Sequence, residues 1–393
     1  MKVVQAVFGV FHHFELAREM ELRGHLQRIY STWPWARLKR EGVSRKKVET
    51  FPWIHTPMTL LPRIGITSTY LDDQLGLLAA LTFDDWMARK IESCDAFIAI
   101  SGAGLKTGKI VQSRGGKFVC DRGSTHQRYQ ENVVSEEFRR WKVSRRVSDP
   151  RDTNREELIY AEADAITVPS RAAARSFVEM GIEANKVHVI PYGVRLDNFY
   201  PETEPSHDSF EVLFAGSVCL RKGIPYLLEA FAALKHPRKK LTIAGSMSPE
   251  ILPLMPKFNT ENVEFLGGVT QTKLRSLMSS SHVMVLPSIE EGLALVQGQA
   301  LACGCPVICS SATGGEDLFT DGVEGFVVPV RDVMAITDRM QLLADSPLQQ
   351  AKMRLAGLQR VQALGGWSEY AELWVGLLEK LNRDKHCSNA LCK

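Results

Sequence analysis

No apolar run in the 393 residues approaches the roughly 18 that a membrane-spanning helix requires. The first residues do not read as a basic, apolar leader. Met1-Lys2-Val3-Val4-Gln5-Ala6-Val7-Phe8 carries one basic residue and reads as a first buried strand. Charge of either sign is nearly balanced at +3, without the basic concentration of a nucleic-acid-binding domain, so no nucleic-acid partner is expected. The eight cysteines show no zinc pattern: Cys303, Cys305 and Cys309 are spaced C-x-C-x3-C with no companion His pair, and no metal is expected. Most cysteines lie inside apolar runs, as in Phe118-Val119-Cys120, which fits reduced buried thiols and a cytoplasmic protein. The turn after the first strand has Gly9 but no G-x-G-x-x-G fingerprint, which argues against a nicotinamide dehydrogenase.

The chain does have an alternation of short β-rich runs and longer segments of helical period. Val3–Val7, Ala96–Ile100, Lys117–Cys120, Ile166–Pro169 and His188–Pro191 read as strands in the first half. Val212–Ala215, Leu241–Ala244, Val263–Leu266, Val283–Leu286, Pro306–Cys309 and Phe326–Val328 read as strands in the second. Continuous apolar runs alternating with helices predict α/β domains with parallel sheets covered on both faces. A Pro-, Asp-, Glu- and Ser-rich stretch over Arg195–Asp208 has no periodicity and reads as a linker. The expected domains are residues 1–194 and 195–366, with a final helical segment over 367–393.

Pro287-Ser288-Ile289-Glu290-Glu291-Gly292-Leu293-Ala294-Leu295 reads as a strand end, an acidic loop and a helix start, with Gly304 closing that helix. Ligands in open α/β sheets bind at this end of the strands. The backbone N–H groups of Gly292, Leu293, Ala294 and Leu295 form an expected anion site at the helix start. Glu291 can hydrogen-bond sugar hydroxyls. Gln299, roughly 7 Å further along the helix axis, suits a ribose contact. A second turn, Gly216-Ser217-Val218-Cys219-Leu220-Arg221-Lys222-Gly223, follows the first strand of the second domain. Arg221 and Lys222 there supply two cations for a diphosphate, and Gly216 allows close backbone approach.

These two segments resemble the donor site of the family 4 retaining glycosyltransferases of GT-B fold, whose usual signature is Glu-Gly-x-Gly-Leu-x-x-x-Glu. Glu291 holds its first position; Ala294 stands at a usual Gly and Gln299 at the second Glu, keeping an acceptor oxygen without the charge. Gly267-Gly268-Val269 resembles the loop cradling the base edge, and Thr313–Asp317 and Asp321–Phe326 the segments closing the pocket. The resemblance implies two Rossmann-like domains facing a cleft, with the final helix crossing back to the first domain. It implies metal-independent transfer from a nucleoside-diphosphate sugar to an acceptor hydroxyl of a glycan, lipid-linked or small molecule, with retention and with no cofactor besides the donor. A nucleotide-sugar epimerase on the same fold and a non-catalytic nucleotide-sugar-binding module remain open.

The first half is expected to receive the acceptor. Gly9 is expected to bring backbone near the donor phosphates, and His12 and His13 follow as acceptor contacts or as a helix-start loop with a partly buried His. At the end of a later strand Asp121 and His126 are the candidate active-site residues, beside Glu291; a cap or a neighbour of Arg122 is the plainer reading of Asp121. The basic stretch Arg139–Arg146 fits either a solvated helix face or peripheral contact with an anionic membrane surface.

Overall fold

The computed structural model describes residues 1–393 except 66, 67, 194–197, 392 and 393. The expected domain boundary at 194/195 therefore lies outside the described residues. The first sheet contains β1 (Val3–Val7), β2 (Leu26–Ser31), β3 (Val48–Thr50), β4 (Ala96–Ile100), β5 (Lys117–Asp121), β6 (Ala165–Val168) and β7 (Val187–Val189). The second contains β8 (Phe210–Ala215), β9 (Lys239–Ala244), β10 (Val263–Gly267), β11 (Val283–Leu286), β12 (Val307–Ser310) and β13 (Gly325–Val328). Their orders are β3-β2-β1-β4-β5-β6-β7 and β10-β9-β8-β11-β12-β13, and neighbouring strands pair in parallel.

Both sheets reverse direction beside their first strand, between β1 and β4 and between β8 and β11. Such a reversal leaves a crevice at the carboxyl ends of the strands, because the flanking crossovers run to opposite sides. The alternating side chains of β1 feed two cores: Val3 and Val7 pack beneath the helix His13–Leu22, and Val4 and Ala6 on the other face. β2 and β3 escaped the sequence reading because Gln27, Arg28 and Glu49 interrupt their apolar pattern near the sheet edge.

The last helix, Trp367–Leu391, places Tyr370, Ala371, Trp374, Leu377 and Leu378 in the same core as β1 and the helix His13–Leu22. Trp374 is fully buried there, and burying an aromatic of this kind contributes about 2–3 kcal/mol. The chain thus leaves the first domain once and returns to it.

The helix Gln127–Arg140 behaves differently from the sequence expectation. It follows β5 of the first domain, yet Val133, Phe138, Trp141 and Val143 pack on the core of the second. At its centre Glu137 is fully buried, accepting hydrogen bonds from Tyr226 Oη (2.7 Å), Trp141 Nε1 (2.8 Å) and Arg331 Nε (2.7 Å). A buried carboxylate is tolerable only when paired in this way. The basic tail of the helix is also partly engaged: Arg145 pairs with Glu131 at 2.8 Å, and Arg146 pairs with Asp72 and Asp73. Among the described residues no helix is long and apolar enough to cross a membrane.

Glu137→Ala is expected to lower stability by about 3 kcal/mol, because Tyr226 and Trp141 lose a buried acceptor and Arg331 keeps, among the described residues, only Glu136, 3.4 Å away. Tyr226→Phe, which removes one hydrogen bond, is expected to cost only about 1 kcal/mol. Denaturant unfolding of the two variants checks the ratio; equal costs would mean that the carboxylate is not the centre of this junction.

Candidate functional site

A cavity of about 740 Å³ opens between the two crevices. Phe11, His12, Ile100, Ser101, Arg122, Gly123 and Ser124 line it from the first domain, and Gln271, Leu295 and Gln299 from the second. Tyr192 and Trp367, where the chain passes between the domains, complete the wall. The size suits a ligand of several rings.

The second-domain side is built from the β8 and β11 exits. Lys222 forms a salt bridge with Glu291, and Arg221 reaches Glu291 at 3.3 Å and the Glu290 carbonyl at 2.9 Å. The cationic turn and the acidic loop therefore meet on one side of the sheet. Burial works against the Arg221 charge, and the carboxylates of Glu291 and Glu290 outweigh it, raising its pKa. Arg221 lines a neighbouring groove of about 900 Å³ together with Lys142, Arg145 and Ser217, rather than the main cavity. Gly216, at the β8 exit, lies beside Lys222: a Cβ there would sit 3.8 Å from Lys222 Cε.

The helix after the acidic loop runs Leu295–Ala302, and Ala294 gives it no side-chain cap. Its first-turn N–H groups are thus unclaimed by a cap where Leu295 faces the cavity. The Ala294 N–H is an exception to the expected anion site, since it donates to the Thr313 carbonyl at 3.3 Å. Gln299 lines the cavity one turn further in. Val269 is half-buried between β10 and Gln271, which also lines the cavity. Leu293 is buried in the core of the second domain.

Gly292 is fixed by a close approach between the domains. A Cβ at Gly292 would lie 2.1 Å from the Gly123 carbonyl oxygen, so only glycine permits the two loops to touch. Ser170 Oγ donates to the Gly292 carbonyl at 2.5 Å. Beside it, Glu290 is buried and accepts from Ser124 Oγ (2.7 Å), Thr125 Oγ1 (2.6 Å) and Gln130 Nε2 (2.8 Å), all from the other half. Burial pushes the Glu290 carboxyl upward, but these bonds and Arg221 outweigh it and hold it below its ordinary value.

On the first-domain side the expectations divide. Gly9 does not offer its N–H to a ligand: it donates to Thr32 Oγ1 at 3.0 Å, and a Cβ there would strike Trp33 Nε1 at 2.4 Å. His126 does not line the cavity. Its Nδ1 caps the helix Gln127–Arg140 by accepting from the Arg128 N–H at 3.2 Å, and its ring packs on Tyr160 and Phe177. Its strand-end position concealed that the chain already turns into a helix there. Asp121 is buried at the end of β5, where it bonds His12 Nε2 at 2.6 Å and Thr167 Oγ1 at 2.9 Å. His13 Nε2 approaches the same carboxylate at 3.5 Å. The donor atoms of His12, His13 and Asp121 lie within 4.8 Å of one another, close enough to hold a cation. Cys303, Cys305 and Cys309 are buried free thiols whose pKa values burial raises.

Sequence reasoning did not single out Glu290, Tyr192, Gln271 or Trp367 as site residues. Glu290 differs from Glu291 only by pointing to the other domain, and nothing in the local pattern distinguishes the two.

Two doubly wound domains facing one cleft, with an uncapped helix start and a cationic turn at the strand exits of the second, define an α/β protein of GT-B architecture. The description "Glycosyl transferases group 1" fits residues 197–360 and "Glycosyltransferase Family 4" fits residues 123–198. Over these residues the chain is similar to the group 1, family 4 glycosyltransferases. It is similar to a D-inositol 3-phosphate glycosyltransferase of Xylanimonas cellulosilytica, 28% identical over 238 residues, covering 55% of this chain and 57% of that protein. An MMP alpha-(1->4)-mannosyltransferase of Mycolicibacterium hassiacum is 27% identical over 222 residues, covering 55% of this chain and 54% of the relative. The chain thus spans little more than half the length of these relatives. Its fold is shared with a sucrose-phosphate synthase from Thermosynechococcus elongatus, at TM-score 0.69 and 20% identity over 97% of this chain and 99% of that one. Anabaena HepE in complex with UDP superposes at TM-score 0.67 and 15% identity over 97% and 100% of the two chains.

Gly292→Ala is expected to force the two loops apart and to cost about 1–3 kcal/mol of stability. Thermal melting checks it, and an unchanged melting temperature would mean the loops do not touch. Burial brings the His126 pKa down from 6.5 to about 4. The unfolded chain then binds a proton that the folded one refuses. The His126 contribution is full above pH 6.5 and declines as pH falls toward about 4. His126→Asn retains a good helix cap and is expected to flatten that decline without loss of activity. A large loss of activity with an unchanged pH–stability curve would return His126 to the active site.

Proposed function

We propose that the chain transfers a glycosyl group from a nucleoside-diphosphate sugar to an acceptor hydroxyl. The observation that carries this reading is the meeting of Lys222 and Arg221 with Glu291 beside the uncapped start of helix Leu295–Ala302. A diphosphate bound there exchanges the Glu291 carboxylate for its own oxygens as the partner of the two cations. Glu291, released, is free to accept hydrogen bonds from sugar hydroxyls. As the bond from the anomeric carbon to the diphosphate breaks, its electron pair moves to the phosphate oxygen. The cations and the helix start stabilise the charge that develops, and preorganised groups of this kind supply several kcal/mol. Gln299 contacts the ribose and Val269 borders the base.

Asp121, buried behind His12, supports the other wall of the cleft, where the acceptor hydroxyl approaches. The relatives' printed activities, glycosyl and mannosyl transfer, support the reaction class. Retention and independence of metal are part of the proposal and come from the family resemblance. Peripheral membrane contact through Arg139 to Arg146 is reduced to the part of that stretch left unpaired, since Arg145 and Arg146 are held by acids of the same chain.

A thermal-shift screen with nucleoside diphosphates and their sugars tests the proposal. A ligand at 100 times its dissociation constant is expected to add about 2.7 kcal/mol. Lys222→Ala is expected to abolish the shift and to reduce transfer at least about a hundredfold, the scale of one lost transition-state donor. Stabilisation that survives Lys222→Ala would place the diphosphate elsewhere. Epimer formation without acceptor would replace transfer by isomerisation.

A further inference from the structure

The first-domain wall carries one imidazole that faces the cavity, and its surroundings fix its chemistry. His12 ends the β1 loop, one residue after Phe11, whose backbone takes a left-handed conformation at φ 44°. Only a tenth of the His12 side chain is exposed, and it lines the cavity opposite Gln271, Leu295 and Gln299. The ring is clamped by Tyr192, with centroids 4.5 Å apart, and by the edge of Tyr370 at 6.4 Å.

Asp121 determines which nitrogen bears the proton. Burial pushes the Asp121 carboxyl pKa up, but His12 and Thr167, which bond it, outweigh this and lower it overall. An ionised carboxylate only accepts hydrogen bonds, so His12 Nε2, 2.6 Å away, must be the N–H. The other oxygen is held by Thr167 Oγ1 at 2.9 Å, which fixes the carboxylate plane. In the neutral ring Nδ1 is then the lone pair, and no hydrogen bond to it is seen among the described residues. His13 does not compete: burial brings its pKa down to about 3 despite Asp121, so it stays neutral.

We propose that His12 Nδ1 accepts a hydrogen bond from a sugar hydroxyl in the cleft, and that Asp121 is the positioning residue that locks the ring in the Nε2–H tautomer. The inference rests on the reading that the cleft holds a sugar nucleotide and its acceptor. It goes beyond that reading in naming the group on the first-domain wall that touches substrate. The hydroxyl belongs either to the donor sugar or to the acceptor, and the kinetic arm below separates them.

The test begins with ¹⁵N-histidine-labelled full-length protein, with the His12 ring assigned by its loss in His12→Gln. Nε2–H with an unprotonated Nδ1 is expected, and Asp121→Asn is expected to give a mixture of tautomers in a protein that still melts cooperatively. A wild-type ring protonated at Nδ1, or one unaffected by Asp121→Asn, overturns the proposal without touching the donor reading. The kinetic arm uses UDP-glucose and GDP-mannose as donors, with and without a panel of monosaccharide glycosides as acceptors. His12→Gln is expected to lower turnover about tenfold or more, the scale of one lost hydrogen bond, while affinity for UDP or GDP stays within about threefold. Loss of both hydrolysis and transfer puts the hydroxyl on the donor sugar, and loss of transfer alone puts it on the acceptor. Unchanged turnover overturns the proposal. So does one equivalent of tightly held zinc that is lost in both His12→Gln and His13→Gln, because the cluster would then be a cation site. Absence of any thermal shift with nucleotide sugars would instead sink the transfer reading.

Discussion

A carboxylate sealed between two domains has to find its partners there, and Glu290 finds three from the first domain and Arg221 from its own. This constraint seats the loop after β11 against the loop after β5. It also explains why Gly292 must be glycine, since the loops approach too closely for a Cβ. With the loops joined, the start of helix Leu295–Ala302 faces His12 and Tyr192 across one cavity. Separated, the cationic turn and the first-domain wall would be two unrelated surfaces.

Glu137 repeats the same device on the far side of the cleft. Its bonds to Tyr226 and Arg331 tie the helix Gln127–Arg140 to the second domain. Arg331 itself sits at positive φ, 66°, a conformation that costs a non-glycine residue energy and persists where surrounding contacts hold it. Two buried acids, Glu137 within the helix Gln127–Arg140 and Glu290 bonded to Gln130 of the same helix, therefore tie that helix to the second domain. The groups proposed to act on substrate are small additions to that frame: one imidazole, one carboxylate and a pair of cations.

The parallel α/β architecture was legible because strands covered on both faces read as apolar runs, and Val283–Leu286 and Phe326–Val328 stand out in this way. The strand exit, acidic loop and helix start from Val283 to Ala302 were legible because they lie within one short stretch of chain. β2 and β3 were not, because polar residues near a sheet edge break the pattern. The helix Gln127–Arg140 was read only through its basic end, since a buried Glu137 is indistinguishable in sequence from a solvated one.

Sequence by itself determined the period of the elements, the place of the turn carrying Arg221 and Lys222, and the positions of Glu291 and Gln299. These are local properties, set by patterns within a few residues. Tertiary structure alone decided that Asp121 serves His12, 109 residues away, and that His126, five residues beyond Asp121, is spent on a helix cap. It also decided that Glu290 joins the domains while Glu291 meets the cations. The physical reason is that a side chain's role depends on which groups share its desolvated space, and those groups are brought together by sheet order rather than by proximity along the chain.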